Sequence, residues 1–301
     1  MDPIFKKAMA AARAGHPALL AGFGLERYVV YGAGLAPSGR AYEERLSITG
    51  NGEVHFATVR SISDASGDPI GQFAGQVTKE EIAELLDLLE AVGLFEIPPV
   101  RLEPMDMRIR ITLMLGGMQL VKFIGGNNAE LFEPLFPFLD RLQKIEQRAK
   151  QNPIRSLAVE LSMPAPVPGR QIIPARLRFV NTGREPYWIP HPRTLNQTVY
   201  DERCSLYYGR RPKLEEGVTP LPIEVQEMPL LAPEESGIQF VWLAPGGSQT
   251  VELRTEVDCP EPGEYLARAV YSNYFGEDTI AGVARLRGAV FSQELSFQVG
   301  A

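Results

Sequence analysis

The chain has 301 residues, 45% of them hydrophobic and 22% charged, with a formal net charge of −7. A chain of this length exceeds what one hydrophobic core usually organises, so two domains are expected, and no run approaches the roughly 20 apolar residues that a membrane span needs. The acidic balance, spread over both halves, argues against nucleic acid as a partner, because phosphate binding needs a positive footprint.

The N-terminus, Met1-Asp2-Pro3-Ile4-Phe5-Lys6-Lys7, leads into an Ala-rich stretch without the apolar core and small-residue cleavage site of a secretory signal. A cytoplasmic location is the expectation, with a secreted or periplasmic one only if a signal has been removed. Cys204 and Cys259 are too few for a disulfide scaffold and wrongly spaced for a CxxC knuckle, so both read as reduced structural thiols.

Residues 3–21 favour a short leading helix, interrupted by Gly15 and Pro17. Tyr28-Val29-Val30-Tyr31 reads as a strand. Asn51-Gly52, between runs 45–49 and 54–59, predicts a hairpin with a type I′ turn, whose two central positions both need positive φ. Thr78-Lys79-Glu80-Glu81 fits a capping box, and Ile82, Leu85, Leu86 and Leu89 recur at helical spacing up to a stop at Gly93. Runs 109–113 and 120–123 flank Gly116-Gly117 as a second hairpin. A closing helix is expected over about residues 130–150, with Leu135, Phe138, Leu139, Leu142 and Ile145 as its buried stripe. These elements define an α+β domain over residues 1–152.

The grammar changes near residue 150. Runs 157–161, 175–180, 250–253 and 264–271 alternate with period two, and turn residues interrupt them at 164–169, Asn181-Thr182-Gly183, Pro245-Gly246-Gly247 and 260–263. An all-β antiparallel sandwich over residues 153–301 is expected.

Two resemblances accompany this reading. Leu46-Ser47-Ile48-Thr49-Gly50-Asn51-Gly52-Glu53-Val54, with Gly75-Gln76-Val77-Thr78-Lys79-Glu80-Glu81 through Leu94-Phe95, resembles a small bacterial α+β domain family of unknown function. Members of that family often carry a Cys pair where this chain has Ala33-Gly34-Leu35-Ala36-Pro37, a departure that removes any redox or metal reading. Phe179-Val180-Asn181-Thr182-Gly183, Leu243-Ala244-Pro245-Gly246-Gly247-Ser248 and Glu261-Pro262-Gly263-Glu264-Tyr265-Leu266-Ala267-Arg268-Ala269 resemble bacterial immunoglobulin-like sandwich modules of the intracellular proteinase inhibitor type. That resemblance implies an immunoglobulin-like fold and, by analogy, an immunity or inhibitor role.

Catalytic signals are weak. His16, His55 and His191 have no metal-ligand spacing among themselves, and His191, in Trp188-Ile189-Pro190-His191-Pro192, reads as a packing residue. No GxSxG elbow announces a nucleophile. Gly32-Ala33-Gly34 lacks the third glycine of a dinucleotide turn, and Asp258, Glu261 and Glu264 read as a solvated turn. No catalytic residue, metal site or cofactor is therefore assigned.

Two aromatic segments stand out. Tyr207, Tyr208, Arg210 and Arg211 fall in what reads as an irregular insertion over residues 200–227, and Tyr271, Tyr274 and Phe275 fall in a second loop. Such side chains are enriched at binding hot spots and in paratopes. The expectation is a non-enzymatic bacterial protein that binds another protein through these loops. The competing expectation is an enzyme or small-ligand binder with a site in the interdomain cleft.

Overall fold

The computed structural model describes residues 3–31, 42–59, 69–96, 108–125, 133–195, 203–210, 226–231, 239–273 and 279–300. They are mostly antiparallel β-structure. None of the described helices is long and apolar enough to cross a membrane. The chain divides into two compact units, Met1–Thr58 with Gln72–Ile154, and Val59–Gly71 with Arg155–Ala301.

The first unit begins with helices α1 (Pro3–Arg13) and α2 (Pro17–Ala21), broken where Gly15 takes φ 79° ahead of Pro17. Its strands are β1 (Gly24–Tyr31), β2 (Tyr42–Thr49), β3 (Glu53–Thr58), β4 (Ile70–Gln76), β5 (Arg108–Leu115) and β6 (Met118–Gly125), laid side by side as β4-β3-β2-β1-β5-β6. Helix α3 (Lys79–Ala91) carries the expected capping box: the Glu81 amide donates to Thr78 Oγ1 at 3.2 Å, and the Thr78 amide donates to Glu81 Oε2 at 2.9 Å. Gly93, at φ 57°, ends it. The closing helix α4 (Phe136–Lys150) starts after a single 3₁₀ turn, later than expected, because Pro134 and Pro137 are tolerated only near a helix start. Ile82, Leu85, Leu86 and Leu89 of α3, and Phe138, Leu142 and Ile145 of α4, join Leu25, Leu46, Ile48, Phe56 and Ile111 in one buried cluster.

Both expected hairpins form, with different turns. Gly116 and Gly117 have φ 53° and 81°, so the two-residue β5–β6 connection is a type I′ turn. The β2–β3 connection corrects the type I′ expectation. Asn51 is not at positive φ; Gly52 alone is, at φ 85°, and its amide donates to the Thr49 carbonyl at 2.9 Å. This is a type I turn closed by a left-handed glycine. Strand β4 escaped the sequence reading because Gly71 and Gly75 dilute its pattern.

The second unit holds β7 (Pro153–Ser162), β8 (Gly169–Asn181), β9 (Tyr187–Pro190), β10 (Arg203–Arg210), β11 (Gln226–Pro229), β12 (Phe240–Leu243), β13 (Ser248–Cys259), β14 (Gly263–Asn273), β15 (Thr279–Ile280), β16 (Val283–Ala284), β17 (Gly288–Phe291) and β18 (Leu295–Val299). Strand β8 lies between β13 and β7, with register partners such as Val251↔Leu177 and Val159↔Phe179. A separate antiparallel sheet runs β11-β10-β14-β17, with β18 also on β14. Leu157, Leu177, Phe179 and Leu253 from the first group share one buried cluster with Leu206, Tyr208, Ala269 and Tyr271 from the second. Asn181 is fully buried yet satisfied: its amide donates to the carbonyls of Glu185 and Leu243, and its oxygen accepts from the Gly183 amide.

Residues 203–210 are not an irregular insertion. They form β10, the strand between β11 and β14, and their burial on both faces hides the period-two pattern that marks a half-exposed strand.

Candidate functional site

Burial redistributes the seven aromatic and arginine residues singled out in the sequence. Tyr208 is 5% exposed and its hydroxyl accepts from the Asp258 amide at 2.7 Å; Tyr271 is wholly buried, and its hydroxyl donates to the Pro190 carbonyl at 2.6 Å. Both are core residues, which corrects their placement on a binding loop. Tyr207 is half-buried, with Arg203 donating to its hydroxyl at 2.6 Å. Arg210 pairs with Glu261 and donates to the Pro262 carbonyl at 2.8 Å, so it braces the turn before β14. Arg211, Tyr274 and Phe275 lie outside the described residues.

Other signals resolve into packing. His191 and both cysteines are buried, and neither cysteine forms a disulfide. Burial pushes the thiols of Cys204 and Cys259 up, away from the reactive thiolate form. Of the acidic turn, Glu261 is taken by Arg210 and Glu264 accepts from Ser296 Oγ at 2.6 Å. Among the described residues no group of three His, Cys, Asp or Glu is placed to hold a metal ion.

The surface feature that sequence reasoning missed is a tryptophan pair. The chain has two tryptophans, Trp188 and Trp242, 54 positions apart, and they stand directly opposite one another in the β9–β12 ribbon. Their ring centroids are 4.9 Å apart with planes tilted by 56°. Local sequence explains the ribbon. Tyr187-Trp188-Ile189 and Phe240-Val241-Trp242 are aromatic and β-branched, and Pro190-His191-Pro192 and Pro245-Gly246 end the two strands. Alternation then sends Tyr187, Ile189, Val241 and Leu243 into the core and the two indoles to the opposite side, where Trp242 remains 41% exposed. Beneath them Tyr187 is anchored by its hydroxyl, which donates to the Ser156 carbonyl at 2.7 Å. Next to them the Leu286 amide donates to the Trp188 carbonyl at 3.0 Å. The ribbon is thus a braced platform for two large aromatic side chains.

A shallow cavity of about 380 Å³ lies elsewhere in this unit, lined by Met163, Pro164, Pro174, Leu253 and Arg254 among others. Around it the outward face of β8 and β13 is a ladder of exposed ion pairs, Arg176 with Glu252 and Arg170 with Glu256, each worth about 0–1 kcal/mol. Ile172, 73% exposed, stands among them. Single exposed aliphatics of this kind are ordinary on protein surfaces, whereas tryptophans concentrate at binding hot spots.

No protein-family model and no curated protein matches the chain. Solved structures with some similarity include AvmM, described as catalysing macrocyclization in alchivemycin A biosynthesis, at 18% identity over 48% of this chain and 89% of that one, with a TM-score of 0.24. A β-glucosidase from Erythrobacter marinus follows at 17% identity, 48% and 16% coverage and a TM-score of 0.23. A β-glucosidase from Listeria innocua in complex with glucose gives 13%, 48%, 16% and 0.22. Likeness at these TM-scores carries no argument about this chain.

Proposed function

We propose that this chain is a non-enzymatic bacterial protein that binds another protein, and that the contact is made by the outer side of the β9–β12 ribbon on an immunoglobulin-like sandwich. The sandwich reading is supported by two sets of antiparallel strands that contribute to one core. A cytoplasmic setting is supported by two buried cysteines that form no disulfide.

The observation that carries the binding reading is the Trp188–Trp242 pair. A half-exposed indole held against a second one presents a large apolar area at low conformational cost, which is the chemistry of hot-spot residues. Both tryptophans of the chain lie in this pair, so intrinsic fluorescence reports on the site alone. Capture from a bacterial lysate by the wild-type protein, compared with Trp242→Ala and with Ile172→Ala, tests the reading. A stoichiometric partner held by wild type and Ile172→Ala, lost with Trp242→Ala, and shifting tryptophan emission on readdition is the expected outcome. Equal capture by a folded Trp242→Ala variant overturns the site.

A further inference from the structure

The core of the first unit contains a cluster of charge that its apolar pattern does not announce. Arg27 lies on the helix-covered side of β1, in a row with Leu46 of β2 and Ile111 of β5. Glu44, on the same side of β2, accepts from Arg27 Nη2 at 3.0 Å, and Glu146 of α4 pairs with that same nitrogen. The three residues are 8%, 8% and 6% exposed. Two carboxylates around one guanidinium leave a net negative charge out of water, the arrangement that low-dielectric surroundings penalise most. A single proton removes it.

The other charges near Glu146 have their own placements. Lys150, one turn further along α4, lies over the Phe56 ring with its nitrogen 5.6 Å from the centroid. Lys122 of the edge strand β6 is opposite Ile111 and ends the same row, and burial pulls its pKa down. Glu53 and His55 of β3 are exposed on the opposite side of that strand. Between α3 and α4, Glu81 is held by Arg141 and Arg148, and Glu84 by Arg141. Burial is the largest influence on Glu146. Arg27 and Lys150 oppose it, Glu44 adds to it, and the carboxyl is pushed up to about 7.

We propose that Arg27, Glu44 and Glu146 form a one-proton clasp, which holds α4 against the sheet when protonated and loosens that helix when the proton leaves. Helix α4 is the element affected because Glu146 is the member of the cluster that it contributes, between the buried Ile145 and Ala149. A carboxyl whose folded value lies above its ordinary 4.5 stabilises the folded state fully below 4.5, and that contribution is lost as pH rises through about 7.

Hydrogen exchange of the α4 amides in the full chain between pH 6 and pH 8.5, corrected for intrinsic exchange, tests the clasp. Protection falling with pH, by about 10-fold across this window, is expected for wild type. The step should be absent in Glu146→Gln and in Glu44→Gln, the second of which leaves one carboxylate for one guanidinium. Carbon-13 detection of the Glu146 carboxyl in wild type decides the matter without a variant. Titration near neutral supports the clasp, and titration at or below 5 overturns it. Retention of the same protection step in a folded Glu146→Gln variant overturns it as well.

Discussion

The Tyr271 hydroxyl donates to the Pro190 carbonyl at 2.6 Å, while the edge of its ring meets Phe179 with centroids 5.0 Å apart. This one side chain ties the end of β9 to β14 and fills the space against β8. Tyr271→Phe keeps the ring and strands a buried acceptor, so it should cost about 1–3 kcal/mol in urea unfolding and leave partner capture unchanged. Loss of capture without loss of stability would return Tyr271 to a binding role.

Gly50 carries a stricter constraint than the glycine that sets its turn. A Cβ built there would overlap the Leu20 carbonyl oxygen, and the Gly50 amide already donates to the Phe23 carbonyl at 3.1 Å. Gly50→Ala should therefore destabilise the first unit by on the order of 3–5 kcal/mol. Gly116→Ala, which meets only the flexible end of Leu19 but must hold φ 53°, should cost about 1–2 kcal/mol. Thermal unfolding of both variants checks the order.

Thr78→Ala removes one half of the reciprocal cap on α3 and should cost about 1 kcal/mol. Thr78→Ser keeps the acceptor and should recover most of that loss. Chemical denaturation of the pair separates the cap from general effects of substitution.

Glu26 gives the acid side of the stability profile. Partial burial pushes its carboxyl up, but hydrogen bonds from Arg110 and Arg45, at 2.6 Å for each Nη2, hold it below its ordinary 4.5. Its contribution is present above 4.5 and is lost as pH falls through the lower folded value. Urea midpoints between pH 5 and pH 2.5 should drop less steeply for Glu26→Gln than for wild type. An identical acid limb would show that the two arginine contacts contribute nothing to folding.

Much of the first unit was legible because its signals are local. A capping box, a helical stripe and a pair of adjacent glycines each fix a few neighbouring residues, and Thr78, Leu85 and Gly116-Gly117 behave as their spacing predicts. The β2–β3 turn departs from expectation for a tertiary reason. Gly50 docks on the backbone of residues 20–23 and the Gly52 carbonyl accepts from the Val77 amide at 2.9 Å, so the loop follows its surroundings rather than the Asn-Gly preference.

The binding residues misread in the second unit share one cause. Strands β10 and β14 are buried on both faces along much of their length, and a strand of that kind loses the alternation that identifies it. Tyr207-Tyr208 and Tyr271 then look like loop chemistry, although two of the three belong to the core. Sequence alone determined the sequence-local features of this protein: its helix start, its glycine turns, its change to short strands and its lack of metal or nucleotide motifs. Tertiary structure decided which aromatics meet water and which charges meet each other. Trp188 faces Trp242 across a strand pair, and Arg27 faces Glu44 and Glu146, through contacts made between distant parts of the chain, and burial, which no local pattern encodes, sets what those contacts can do.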